Sequence, residues 1–143
     1  MASRFRPNRW TRFGNTIVSR LIRLGVPLGG MTLLTVPGRT TGRPRTTPVV
    51  IGSYGGVRWV LSPFGEVDWV RNLRAADTAE LTRNRRTETV RATELGPDEA
   101  APLIRRTLAT APSFTRRNFA VTAESPMDDL KLAARDHPVF RLD

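Results

Sequence analysis

Apolar residues recur along the chain at two different spacings, and the switches between them mark out its elements. Over Asn15–Leu24, the residues Ile17, Val18, Leu21, Ile22 and Leu24 fall at helical spacing, with Arg20 and Arg23 forming a basic edge. Asn15 can cap this helix, and Gly25 and Pro27 end it. Met31–Val36 then has the length and apolar character of a strand, as do Thr47–Tyr54 and Val57–Ser62. Gly55-Gly56 joins the last two as a hairpin. Glu66–Ala76 returns to helical spacing, with Val67, Val70 and Leu73 on one face. Thr78–Thr82 and Thr87–Leu95 predict a second hairpin around Asn84-Arg85-Arg86. The alternation in its second strand is weak, which suits an edge or barrel strand.

Pro97, Asp98 and Glu99 favour a helix start, and the predicted helix runs from Asp98 to Thr110, where Pro112 breaks it. Phe114–Ala123 reads as helical. Ser125 as cap and Pro126 at the first position open a clearer helix to Arg135. Pro138–Leu142 is a closing strand. Mostly antiparallel strands with helices set apart imply an α+β fold, and about six short strands are enough to close a small barrel. The chain divides into a basic arm with an amphipathic helix, residues 1–30, and a barrel domain, residues 31–143.

The 143 residues suit one folded unit with a real core. The net charge is +10, and 22 of the 23 basic residues are arginine, Lys131 being the one lysine. Such a field favours anions: nucleic acid, acidic lipid or a phosphorylated cofactor. The absence of cysteine excludes disulfides, thiolate chemistry and cysteine metal sites. With His137 the single histidine, zinc sites built on several histidines are excluded, and no metal site is expected. No serine lies in a nucleophile elbow. Arginines are scattered and no nucleic-acid-binding signature occurs, so no specific nucleic acid is expected. No run reaches the roughly 18 apolar residues of a membrane span. Arg4–Arg12 is basic, and Arg20 and Arg23 interrupt the apolar stretch after it, so the segment does not read as a secretory signal. The expectation is a cytoplasmic protein; the Asn15–Leu24 helix reads first as core-facing, and with its basic, aromatic N-terminal neighbours it also suits peripheral contact with the inner membrane face.

The densest candidate chemistry is Gly38-Arg39-Thr40-Thr41-Gly42-Arg43-Pro44-Arg45, between two predicted strands. Arginine presents a planar fork of donors matched to phosphate and carboxylate. Glycine lets backbone N–H groups approach a ligand closely. Taken alone, the run reads first as a solvated basic turn.

Three blocks together carry a family resemblance. The first is Leu33-Leu34-Thr35-Val36-Pro37 followed by the Gly38–Arg45 loop and Pro48; the second is Trp59-Val60-Leu61-Ser62; the third is Trp69-Val70-Arg71-Asn72-Leu73. The chain resembles the deazaflavin (F420)-dependent nitroreductase family of actinobacterial oxidoreductases. These have a split β-barrel fold related to flavin-mononucleotide-binding oxidoreductases. The match spans roughly residues 31–95. It departs where Thr40 stands in place of a frequent lysine. Ala75-Ala76-Asp77 replaces an Asn-Pro turn, and the Pro63–Asp68 loop lacks a Lys-Gly-Gly pattern.

The resemblance implies that Arg39, Thr41 and Arg45, with Gly38, Thr40, Gly42, Arg43 and Pro44, hold the phosphate and glutamate-tail end of coenzyme F420. Ser62, Pro63, Phe64 and Gly65 would meet the deazaflavin ring through backbone donors, and Trp69 and Asn72 would flank the cleft. FMN is the alternative cofactor. No catalytic side chain is singled out; Tyr54, Ser62 or solvent could protonate the product. The implied activity is hydride transfer between the coenzyme and a planar apolar acceptor, a quinone or nitroaromatic. The other reading is a non-catalytic split barrel that binds a deazaflavin, flavin or hydrophobic ligand. A homodimer is a further expectation for related barrels.

Overall fold

The computed structural model describes residues 31–143. The arm and the helix expected at Asn15–Leu24 lie outside the described residues. Seven strands form one antiparallel sheet: β1 Thr32–Pro37, β2 Pro44–Val49, β3 Ile51–Tyr54, β4 Val57–Leu61, β5 Thr78–Arg83, β6 Arg86–Glu94 and β7 Val139–Leu142. Their order across the sheet is β2-β1-β5-β6-β7-β4-β3. The two edge strands, β2 and β3, are successive in the chain, separated by the exposed Val50. The sheet therefore curls until its two edges become one continuous stretch of backbone.

This corrects the expected strand Thr47–Tyr54 and accounts for the seventh strand beside the roughly six expected. Strand conformation begins earlier, at Pro44, and divides at Val50 into a part paired with β1 and a part paired with β4. Pro44 and Pro48 obscured its start. Both are tolerated because an edge strand leaves one row of N–H groups unpaired. β6 is shared in the same way. Arg86–Arg91 pairs with β5, and Ala92–Glu94 pairs with β7. Both hairpin turns behave as their residues dictate. Gly55 and Gly56 have φ +57° and +80°, and Asn84 and Arg85 have φ 51° and 64°, the paired left-handed geometry that matches strand twist.

Side chains alternate between two apolar layers. Leu34, Val36, Val49, Val60, Leu81, Val90 and Phe140 fill the concave side, where Val70 and Leu73 of helix α1, Asp68–Ala76, plug the barrel. Trp59, Leu61 and Val139 face the other way. They pack under α2, Pro97–Thr110, and α4, Met127–Asp136, through Ala100, Ile104, Leu108 and Leu130. Trp59 lies over Gly52, where any Cβ would overlap the indole, and its Nε1 donates to Thr107 Oγ1 at 2.9 Å. Glycine at 52 is thus required by close packing.

The segment Phe114–Ala123 is not a helix beyond one turn, α3, Ser113–Arg116. Asn118 Nδ2 donates to the Phe114 and Thr115 carbonyls at 3.2 Å each. Arg105 then draws the following backbone onto α2, donating to the carbonyls of Ala123 (3.0 Å) and Ser125 (2.6 Å). Ser125 does not cap α4. Its Oγ accepts from Thr122 N–H at 2.9 Å, and Pro126 occupies the cap position.

Candidate functional site

The β1–β2 connection is closed on itself. Gly38 N–H donates to the Arg43 carbonyl and Gly42 N–H to the Gly38 carbonyl, both at 2.8 Å. Gly42 has φ +70°, open to glycine at little cost. Thr41 Oγ1 accepts from Arg43 N–H at 3.2 Å. A Cβ at Gly38 would stand 3.2 Å from Thr41 Oγ1 and 3.3 Å from the Arg43 carbonyl oxygen, so the loop is tight at that point.

Helix α1 brings the second wall. Asp68 in its first turn suits the positive end of the helix dipole. At the other end Asp77 takes the left-handed conformation, φ 64°, and its N–H closes on the Leu73 carbonyl at 3.0 Å. An acid here does the stopping work of the missing Asn-Pro turn. Arg74 ties the helix to the sheet. Its Nε and Nη2 bind both oxygens of Glu94 at 2.8 Å, and Nη1 and Nη2 bind Glu66 at 3.2 and 2.9 Å. The hydrogen bonds to Glu94, then to Glu66, hold the guanidinium above its usual value, and Arg74 lowers Glu66 in turn.

Between loop and helix lies a cleft of about 490 Å³ lined by Gly38, Arg39, Thr40, Thr41, Arg45, Thr46, Thr47, Asp68, Trp69 and Asn72. Arg39 spans it. Its backbone N–H and its Nη1 both donate to Asn72 Oδ1, at 3.0 and 2.8 Å, and Nη2 reaches Asp68 Oδ1 at 3.4 Å. Arg71 also approaches Asp68, at 3.7 Å. Arg45 has no carboxylate partner among the described residues, and residues 1–30 contain no Asp or Glu. Trp69 is half-buried, with its ring 6.3 Å from that of Phe140.

Seven residues singled out in the sequence therefore meet in one cleft: Gly38, Arg39, Thr40, Thr41, Arg45, Trp69 and Asn72. Gly42, Arg43 and Pro44 shape the turn but do not line it. Neither do Ser62, Pro63, Phe64 and Gly65. Ser62 is fully buried, its Oγ donates to the Gly65 carbonyl at 2.6 Å, and its N–H donates to the Pro138 carbonyl at 3.0 Å. Phe64 points to solvent, and Gly65, φ +81°, sits against the Asp136 carbonyl. The Ser62 hydroxyl is committed to Gly65, and Tyr54 lies exposed under the Arg106 guanidinium, so neither faces the cleft as a proton donor. His137 is buried in the fold, stacked on Phe119 with ring centroids 4.0 Å apart.

Sequence reasoning missed Thr46, Thr47 and Asp68. Alternation along β2 places Thr47 on the same face as Arg45 and Val49, a signal that was present once the strand is begun at Pro44. Asp68 carried only the sign of its charge, opposite to that of the loop.

A family model described as F420H(2)-dependent quinone reductase matches residues 3–127. No curated protein matches the sequence. Among solved structures, one described as an F420-H2 dependent reductase, FDR-A, is 17% identical with a TM-score of 0.57 over 80% of this chain and 94% of that one. Another, described as a domain-swapped dimer, is 16% identical with the same TM-score over 96% and 99%. A NimC/NimA family protein from Clostridium acetobutylicum is 16% identical, with a TM-score of 0.53 over 85% and 81%. These likenesses show the fold, a split β-barrel.

Proposed function

The chain belongs to the F420H(2)-dependent quinone reductase family, and from that premise we propose that the cleft between the Gly38–Arg45 loop and α1 receives the anionic tail of coenzyme F420. Membership makes the protein an oxidoreductase that uses this deazaflavin. The observation that carries the site assignment is the meeting of Arg39, Arg45 and Thr41 with Trp69 and Asn72 around one open volume. The residues fit a group bearing phosphate and carboxylates. Arg45 brings a charge with no carboxylate partner among the described residues, and the threonines bring hydroxyls.

When bound, the deazaflavin supplies the two electrons of the reaction as hydride. The chain's own contribution is binding and orientation. Charge-assisted hydrogen bonds of about 1.5–3 kcal/mol each from Arg39 and Arg45 anchor the tail. Trp69 offers an apolar, planar wall beside it. A planar apolar acceptor, a quinone before a nitroaromatic, is the substrate class this reading takes, and the family description supports that order.

The same reading places the protein in the cytoplasm, against an anionic membrane surface, through residues 1–30. Their arginines, Trp10 and Phe13 suit an interface where apolar quinones reside. Among the described residues no helix is long and apolar enough to cross a membrane. Two copies of the chain form the working unit, an assembly supported by the similar chain described as a domain-swapped dimer.

The test is direct. Fluorescence titration should detect F420 in preference to FMN, and reduced F420 should be oxidised faster by menadione than by nitroaromatic acceptors. Oxidation no faster than in protein-free buffer with every acceptor would reject the catalytic reading. Oxidation that favours nitroaromatics would reject the quinone.

A further inference from the structure

We propose that Asn72 is a positioning residue whose neutral carboxamide aims Arg39 into the cleft without neutralising its charge. This deepens the cleft assignment above and rests on it. Asn72 Oδ1 takes two donors from a single residue, the backbone N–H of Arg39 at 3.0 Å and its Nη1 at 2.8 Å. Both partners can only donate, so chemistry fixes the amide: Oδ1 faces Arg39 and Nδ2 faces away.

Asn72 is a firm post. It is 4% exposed, and its neighbours Val70 and Leu73 are fully buried in the barrel core. Arg74, two residues on, is clamped to Glu94 of β6. Arg39 by contrast sits in a loop and carries a long, entropically costly side chain. One oxygen on the rigid helix thus fixes both the start of the loop and the far end of that side chain.

The second partner, Asp68, is a weaker hold. Its side chain is 82% exposed, the separation is 3.4 Å, and water screens such pairs. An aspartate at position 72 would reproduce the two hydrogen bonds, but with Asp68 it would place two carboxylates on one guanidinium. The charge available to an anionic ligand would then be largely cancelled. Asparagine supplies the acceptor and leaves the cation.

The experiment compares the full chain with Asn72→Asp and Asn72→Ala by two readouts. Hydrogen exchange of the Arg39 amide is followed without ligand, and F420 affinity is measured by fluorescence titration. In Asn72→Asp the Arg39 amide stays protected while Kd rises about tenfold, equivalent to about 1.4 kcal/mol. In Asn72→Ala the amide loses protection and Kd rises at least as much. Asn72→Asp keeps the side-chain shape, so it remains decisive where the alanine variant does not fold. Unchanged affinity in Asn72→Asp overturns the charge argument, and unchanged amide protection in Asn72→Ala overturns the positioning argument. If the parent protein does not bind F420, the cleft assignment falls instead, and amide exchange alone then decides whether Asn72 holds Arg39.

Discussion

Nδ1 of His137 lies 3.1 Å from the carbonyl oxygen of Ser62, a contact between residues 75 apart in the chain. A carbonyl can only accept, so Nδ1 carries the hydrogen. The bond ties the end of β4 to the start of β7 beside the Ser62 N–H to Pro138 contact. His137→Ala would leave a buried acceptor unsatisfied and open a gap over Phe119. A loss of about 2–4 kcal/mol is expected, seen as a Tm lower by roughly 10 °C. Turnover per folded molecule should stay close to the parent's. A large fall in kcat with unchanged Tm would instead make this histidine part of the chemistry.

Arg45 and Arg39 should not be equivalent. Arg45→Ala removes one charge that no internal acid holds. An affinity loss for F420 of roughly 10- to 100-fold is expected from the ordinary strength of a charge-assisted bond. Arg39→Ala removes a charge and also strips Asn72 Oδ1 of the Nη1 donor, so the loss should be larger and accompanied by a small fall in Tm. Titration of both variants checks the order. Equal affinity to the parent in both would place the tail elsewhere.

Asp68 competes with an incoming anion for Arg39 and Arg71. Asp68→Asn should therefore tighten F420 binding by a few-fold, the scale of an exposed ion pair at about 0.2–1 kcal/mol. The gain should shrink as ionic strength rises. Weaker binding in Asp68→Asn would show that the carboxylate orients Arg39 rather than opposing the ligand.

Glu80 and Glu88 lie on adjacent strands and should respond to pH with opposite sign. Burial raises Glu80, 5% exposed, above its ordinary value of 4.5. The folded state then binds its proton more tightly than the unfolded chain, and stability falls as pH rises from 4.5 through the raised value. Glu80→Gln should increase Tm at pH 7 and lose that advantage below about pH 4. Glu88 is lowered by its hydrogen bonds from Arg58, at 2.8 and 2.9 Å. Its contribution is present above 4.5 and disappears as pH falls through the lowered value. Glu88→Gln should cost a few tenths of a kcal/mol at pH 7, as expected of an exposed pair, and nothing near pH 2. Thermal melts of the two variants across pH 2–8 test both signs.

Much of the local architecture was legible because short-range physics decides it. Gly55-Gly56 adopt the left-handed pair their lack of Cβ allows, and Val70 and Leu73 bury the face their spacing marks. Segments whose backbone partners lie far away were not legible. Phe114–Ala123 has helical composition, yet Arg105 of another helix takes the Ala123 and Ser125 carbonyls and holds the chain irregular. The division at Val50 has the same origin, since β2 and β3 pair with different neighbours, β1 and β4.

The sequence by itself determined the class, the hairpins, the helix carrying Trp69 and Asn72, and a donor-rich loop suited to an anion. Periodicity, turn residues and charge act within a few residues, so they can be read in order. Tertiary structure alone decided that Arg39 meets Asn72 33 residues later, that Asp68 joins the cleft, and that the Ser62 carbonyl meets His137. Those outcomes depend on how the curled sheet brings distant strands and α1 together, and no local pattern encodes that closure.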